Sequence, residues 1–175
     1  MMKKLFIIFV FIISLQIHSQ KSVEIYNFST YTVRINTILT KPLTTNYPWC
    51  ASVSPNFIEI LPGESYFIEN ATNQFRFPFF SPNSSPQITN WRRVLAPAVP
   101  GGNSNWSNIS SNAAWILGNS QFFNYLNLSV FNSSSFFGSC DIGLIQPYFM
   151  SPFGWESFYD NFSSGNTIID TVLIM

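Results

Sequence analysis

Charge is scarce in this chain. Of 175 residues only 9% are Asp, Glu, Lys or Arg, eight acids against eight bases. There is one histidine, His18, and there are two cysteines, Cys50 and Cys140. Each shortage excludes a chemistry. His18 falls in a stretch that reads as a cleaved leader, so the mature chain is expected to hold no imidazole. That removes Ser-His-Asp and Cys-His nucleophiles, His-ligated metals, and the one side chain that titrates near neutrality unperturbed. A Ser-Lys pair would need Lys21 or Lys41, and neither adjoins a serine motif. Zinc needs more ligands than two cysteines supply, so no metal and no cofactor is expected.

The first twenty residues carry the clearest signal. Lys3 and Lys4 precede an apolar run from Leu5 to Leu15, and a short polar stretch reaches Ser19. This order of basic, apolar and small-polar segments is that of a secretory signal peptide. The run is about eleven residues, too short for a hydrocarbon core that needs roughly 20. Cleavage is expected before Gln20, and removing residues 1–19 from 175 leaves 156, one domain's worth. No transmembrane segment is expected in the mature chain. The protein is read as secreted: extracellular, or in the periplasm or cell envelope of a bacterium.

Loss of Lys3 and Lys4 leaves six bases against eight acids, a net charge near −2. Binding to nucleic acid relies on clustered cations, and only Arg92-Arg93 forms a doublet, so no nucleic-acid partner is expected. An even cysteine count in an exported chain predicts a Cys50–Cys140 disulfide. Closing that loop of about ninety residues would be worth roughly 4–5 kcal/mol on a chain-entropy account. The alternative is two separate buried thiols.

What the chain does have is a succession of short strands. Ser22–Phe28 and Tyr31–Leu39 flank a Ser-Thr turn, and the second alternates apolar and polar residues with period two. Phe57–Ile60 and Tyr66–Glu69 are joined by Leu61-Pro62-Gly63-Glu64, which predicts a hairpin. Gln74–Phe80, Ile88–Leu95, Phe122–Phe131, Ile142–Met150 and Trp155–Phe158 are further candidate strands, with 96–105 a Pro- and Gly-rich loop. Residues 111–118 read as a short helix capped by Ser111, or as a buried strand. Thr167–Met175 is apolar on both parities, the pattern of a strand buried on both faces. The expected fold is all-β: a single-domain antiparallel β-sandwich over 20–175, of jelly-roll or immunoglobulin-like plan.

Aromatic residues make up 18% of the chain, and five of them are tryptophan. Trp49, Trp106 and Trp155 sit beside turns, where an indole can stack on a sugar ring. They are the candidate ligand contacts, with Arg92 or Arg93 as a polar clamp, since adjacent arginines on a strand face opposite ways. Core packing is the alternative for each tryptophan. Glu156 and Asp160 are close in sequence and sit among Trp155, Phe158 and Tyr159, and a glycosidase would need a carboxylate pair roughly 5–10 Å apart. Eight Asn-X-Ser/Thr sequons, at Asn27, Asn70, Asn83, Asn105, Asn108, Asn127, Asn132 and Asn161, would matter only in a eukaryotic host. The sequence therefore points to a secreted, non-catalytic binding protein whose partner is an extracellular glycan or cell-surface component. Two rivals stand beside it: a membrane-active or self-associating surface protein, and a carboxylate-dependent glycoside hydrolase.

Overall fold

A computed structural model describes residues 20–52, 58–69, 77–79, 84–95, 105–118, 120–165 and 167–175. The leader read over residues 1–19 and the loop at 96–104 lie outside them. Twelve strands and one helix follow in order: β1 (Gln20–Asn27), β2 (Thr32–Pro42), β3 (Trp49–Ser52), β4 (Ile58–Ile60), β5 (Ser65–Glu69) and β6 (Trp91–Val94). Then come β7 (Ser107–Asn108), α1 (Ser111–Leu117), β8 (Gln121–Asn132), β9 (Ser135–Gly143), β10 (Tyr148–Met150), β11 (Glu156–Ser164) and β12 (Thr167–Ile174).

Two sheets pack face to face as a sandwich. The five-stranded sheet runs β10-β11-β12-β1-β5. The seven-stranded sheet runs β7-β6-β3-β2-β8-β9, and β4 shares an edge of β2 with β3. Every described pairing is antiparallel except β1 with β12, which is parallel. Period-two alternation puts one apolar set inward from each sheet: Val23, Ile25, Ile68 and Val172 from one, Val33, Ile35, Leu126, Leu128 and Ile142 from the other, all in one core. Among the described residues no helix is long and apolar enough to cross a membrane.

Several expectations need correction. The Pro62-Gly63 turn forms, with Glu64 N–H donating to the Leu61 carbonyl and Gly63 at φ 79°, but it does not close a hairpin. β4 pairs with β2 and β5 with β1, so the turn carries the chain from one sheet to the other. Ile58 and Ile60 meet the core from one side, Tyr66 and Ile68 from the opposite side. Residues 111–117 are helical, as one of the two readings had it, but the cap is Ser110, whose side chain accepts from Ala113 N–H. The strand expected at Ile142–Met150 is two strands, because β9 ends at Gly143 and β10 starts at Tyr148. β12 is buried on one face only: Asp170, Val172 and Ile174 are enclosed, while Ile169 and Leu173 are half-buried.

The expected disulfide is absent; both cysteines are free thiols. Cys50 lies on β3 and Cys140 on β9, with β2 and β8 between them. Three interstrand spacings put them about 14 Å apart across the sheet. A disulfide needs Cα atoms within about 7 Å. Each thiol is a small core residue instead, and Cys140 Sγ lies 3.5 Å from Ser157 Oγ of the facing sheet.

Asn27, one of the sequons, is fully buried. Its Nδ2 donates to the carbonyls of Tyr31 at 2.7 Å and Ile60 at 2.9 Å, and its Oδ1 accepts from Ser29 Oγ at 2.6 Å. It ties the end of β1 to the start of β2 and to β4, so in the fold it is a strut and not a glycan acceptor.

Candidate functional site

The register of β3, β6 and β7 sorts the predicted contact residues. Trp49 opposes Val94, Ala51 opposes Arg92, and Arg92 opposes Asn108. Extending the β6–β7 register one step places Trp106 beside Val94. Trp49, Arg92 and Trp106 therefore share the outer face of the seven-stranded sheet. Trp49 is half-buried against Tyr47, at 5.8 Å between ring centroids, and its Nε1 is enclosed without an acceptor. Trp106 is 36% exposed.

Arg93 and Trp155 go the other way. Arg93 opposes Cys50, a core residue, and its buried Nε has no hydrogen-bond partner. Burial pushes the Cys50 thiol up to about 12, against the opposing pull of the Arg93 charge. Trp155 is 0% exposed and packs 5.1 Å from the Phe149 ring. Gly138 of β9 lies against the indole, and a Cβ there would stand 3.5 Å from Trp155 Cζ2. Trp155 is core and offers no stacking surface, because the turn that carries it folds the indole between the sheets.

Glu156 and Asp160 lie on β11, four residues apart and on one side of the strand. That separates them by about 13 Å, beyond the roughly 5–10 Å that paired carboxylates need. The strand form of β11 removes the geometric basis for a hydrolase there.

The same outer side of β11 holds what the sequence reading missed. Phe158 opposes Tyr148 on β10 and Leu173 on β12, and Leu173 opposes Tyr26 on β1. These four side chains form a stripe across four adjacent strands, about 14 Å from end to end. Tyr148 and Phe158 rings are 4.9 Å apart, and Tyr26 stacks on Phe28 at 5.8 Å and meets Phe67 edge-on at 5.6 Å. Phe28 is 64% exposed, Tyr148 42% and Phe67 37%.

Carboxylates border this stripe on both sides. One row away, Asp160, Thr171 and Glu24 lie in register; one row the other way is Glu156. Tyr26 Oη donates to Glu24 Oε2 at 2.8 Å, and that bond, followed by burial and the carboxylate charge, raises the phenol above the ordinary tyrosine range. Tyr148 is also raised, by desolvation first and then by the charge of Glu156 and a hydrogen bond to it. Thr171 Oγ1, between Asp160 and Glu24, has no hydrogen-bond partner. The signal was present in the alternation: Glu24, Tyr26 and Phe28 share one parity of β1, as Glu156, Phe158, Asp160 and Phe162 share one of β11. Aromatic residues on the wet parity of neighbouring strands join into one apolar patch on the outer face.

A second cluster closes one end of the interior. Lys21 Nζ donates to the Gln121 carbonyl at 2.6 Å and sits 3.8 Å from the centroid of the Phe122 ring. Desolvation lowers this amine to about 8, against the upward pull of Asp170. Asp170 is buried and accepts from Tyr159 Oη and Asn161 Nδ2, both at 2.7 Å. Burial raises its carboxyl, opposed by those two bonds and by Lys21. The group joins β1, β11 and β12 to β8 from inside the sandwich, which makes it a structural brace. Among the described residues no group of three His, Cys, Asp or Glu could hold a metal ion. Comparisons with protein-family models, with curated proteins and with solved structures find no match to this chain.

Proposed function

We propose that this is an exported, non-catalytic protein that binds extracellular carbohydrate through the outer face of the five-stranded sheet. The leader pattern of Lys3, Lys4 and Leu5–Leu15 supports export. One observation carries the binding reading: the stripe of Tyr148, Phe158, Leu173 and Tyr26, flanked by Glu156, Glu24 and Asp160. Sugar rings offer an apolar C–H face to an aromatic surface and hydroxyl donors at the rim. Ionised carboxylates are acceptors only, so they match those donors. Trp49, Arg92 and Trp106 lie on the opposite sheet and are outside this site.

Affinity electrophoresis of residues 20–175 through gels of soluble polysaccharides tests the reading. Retardation by at least one glycan is expected, lost in Phe158→Ala and kept in Trp106→Ala. Retardation that survives Phe158→Ala and Tyr26→Ala, or none with any glycan, contradicts it. The exposure of Phe28 and of Met150, 64% and 61%, favours a second reading, a face that packs on lipid headgroups or on another copy. Retention on neutral vesicles in the absence of sugar would support that alternative.

A further inference from the structure

We infer that the ligand of this face carries amines: an amino-sugar polymer, in preference to a neutral or an acidic glycan. The inference rests on the carbohydrate reading above and adds the charge of the ligand. Four carboxylates lie on the outer face of the five-stranded sheet: Glu24, Glu69, Glu156 and Asp160. Among the described residues no lysine or arginine lies there. Arg34, Lys41 and Arg92 belong to the outer side of the seven-stranded sheet, while Lys21 and Arg93 point inward.

Two kinds of cation receptor are combined on one surface. Exposed ring faces attract ammonium groups through their quadrupole, and carboxylates add charge attraction and charge-assisted hydrogen bonds. Rows on one face of a strand are about 7 Å apart, so a chain lying along the stripe has carboxylates within reach on both sides. Glu24 accepts from the neighbouring Tyr26 hydroxyl, which fixes its position and still leaves acceptor sites open. Uronate or sulfate groups would meet the like charges of Glu24, Glu156 and Asp160, with no lysine or arginine among the described residues of that face to offset them. Flat rings in register across neighbouring strands suit stacked pyranose rings better than a flexible lysine-rich peptide. The occupant is therefore assigned to the glycan class.

Calorimetric titration of residues 20–175 with three soluble oligomers tests this: fully deacetylated glucosamine hexamer, its N-acetylated counterpart, and cellohexaose, at mildly acidic pH where the free amines are charged. The glucosamine hexamer should bind at least about tenfold more tightly than the other two, about 1.4 kcal/mol. The margin should shrink with added salt and close in Glu24→Gln/Glu156→Gln, while neutral binding persists. Glutamine keeps size and hydrogen bonding, so an unchanged melting curve guards against misfolding. Equal or tighter binding of the acetylated or neutral oligomer overturns the amine preference and leaves the carbohydrate reading standing. No binding of any oligomer, with polylysine bound instead, overturns both.

Discussion

The two outer faces of the sandwich treat their polar groups in opposite ways. On the seven-stranded sheet, Asn36 Nδ2 donates to Asn127 Oδ1 and to Ser129 Oγ, both at 2.8 Å, and Asn127 Nδ2 donates to Asp141 Oδ1 at 2.8 Å. Arg34 pairs with Glu59 at 2.7 Å and lies over the Phe131 ring. Along β2, β4, β8 and β9 these amides, hydroxyls and charges satisfy one another, while farther across the same face Trp49 Nε1 has no acceptor. The five-stranded sheet gathers its outer aromatic rings into one stripe across neighbouring strands and borders that stripe with carboxylates. A face whose polar groups are already matched has little to gain from a partner, whereas bare rings beside open acceptors gain both burial and hydrogen bonds. Low overall charge made the contrast possible, because few ions were needed to give each face its character.

That contrast is broken or sharpened by substitutions placed on either side of one sheet. Trp155→Ala, at the core end of β11, should cost about 3–5 kcal/mol in urea denaturation, because it empties a closed site. Phe158→Ala, three residues on but facing outward, should change stability by less than about 1 kcal/mol and weaken glycan binding about tenfold. If Phe158→Ala unfolds the protein as readily as Trp155→Ala, the outer face is structural and the contrast fails. Asn127→Ala, on the other sheet, should cost about 1 kcal/mol or less, because Asp141 is exposed to water and Asn36 keeps its bond to Ser129, with glycan affinity unchanged in the same titration.

A smaller effect separates the interior from both faces. Burial raises Cys50 to about 12 and Cys140 to about 11, and in each case the folded value lies above the ordinary thiol value of 9. The native state keeps protons that the unfolded chain has lost, so this contribution is intact below pH 9 and disappears as pH rises through about 11 to 12. Lys21 acts in the opposite sense. Its folded value of about 8 lies below 10.5, so stability rises with pH between those values. Two thiols outweigh one amine above pH 9. Thermal melts should therefore show declining stability from about pH 9 upward, and Cys50→Ala/Cys140→Ala should lessen the decline, leaving the part carried above pH 10 by the Tyr66 phenol, which burial raises to about 12. Both thiols should also resist Ellman's reagent until denaturant is added.

Strand placement was legible because alternation is a local property. Thr32–Pro42 announces itself through apolar residues at period two, Gln121–Asn132 does so in part, and Thr167–Ile174 does so through a run of β-branched and apolar residues on both parities. Partner choice was not local. The same Pro62-Gly63 turn serves a hairpin or a crossover between sheets, and only the distant strands β1 and β2 decide which. β9 is hard to read from sequence because Ser135, Gly138 and Ser139 dilute its apolar pattern. The disulfide failed for the same reason as the hairpin, since cysteine count carries no information about sheet order. Trp49, Trp106 and Trp155 each lie close to a turn in sequence, and a turn says nothing about which way the next side chain points. The aromatic stripe is different in kind. Tyr148, Phe158 and Leu173 meet through the antiparallel neighbours β10, β11 and β12, while Tyr26, far off in sequence, joins them only through the parallel pairing of β1 with β12.

The central claim, that the five-stranded face is the binding surface, is tested most directly by backbone amide NMR during titration with glucosamine hexamer. The account predicts saturable shifts confined to β10, β11, β12, β1 and β5, strongest around Phe158, Leu173 and Tyr26. Shifts centred on β3, β6 and β7 around Trp49, Arg92 and Trp106 would contradict it and move the site to the other sheet.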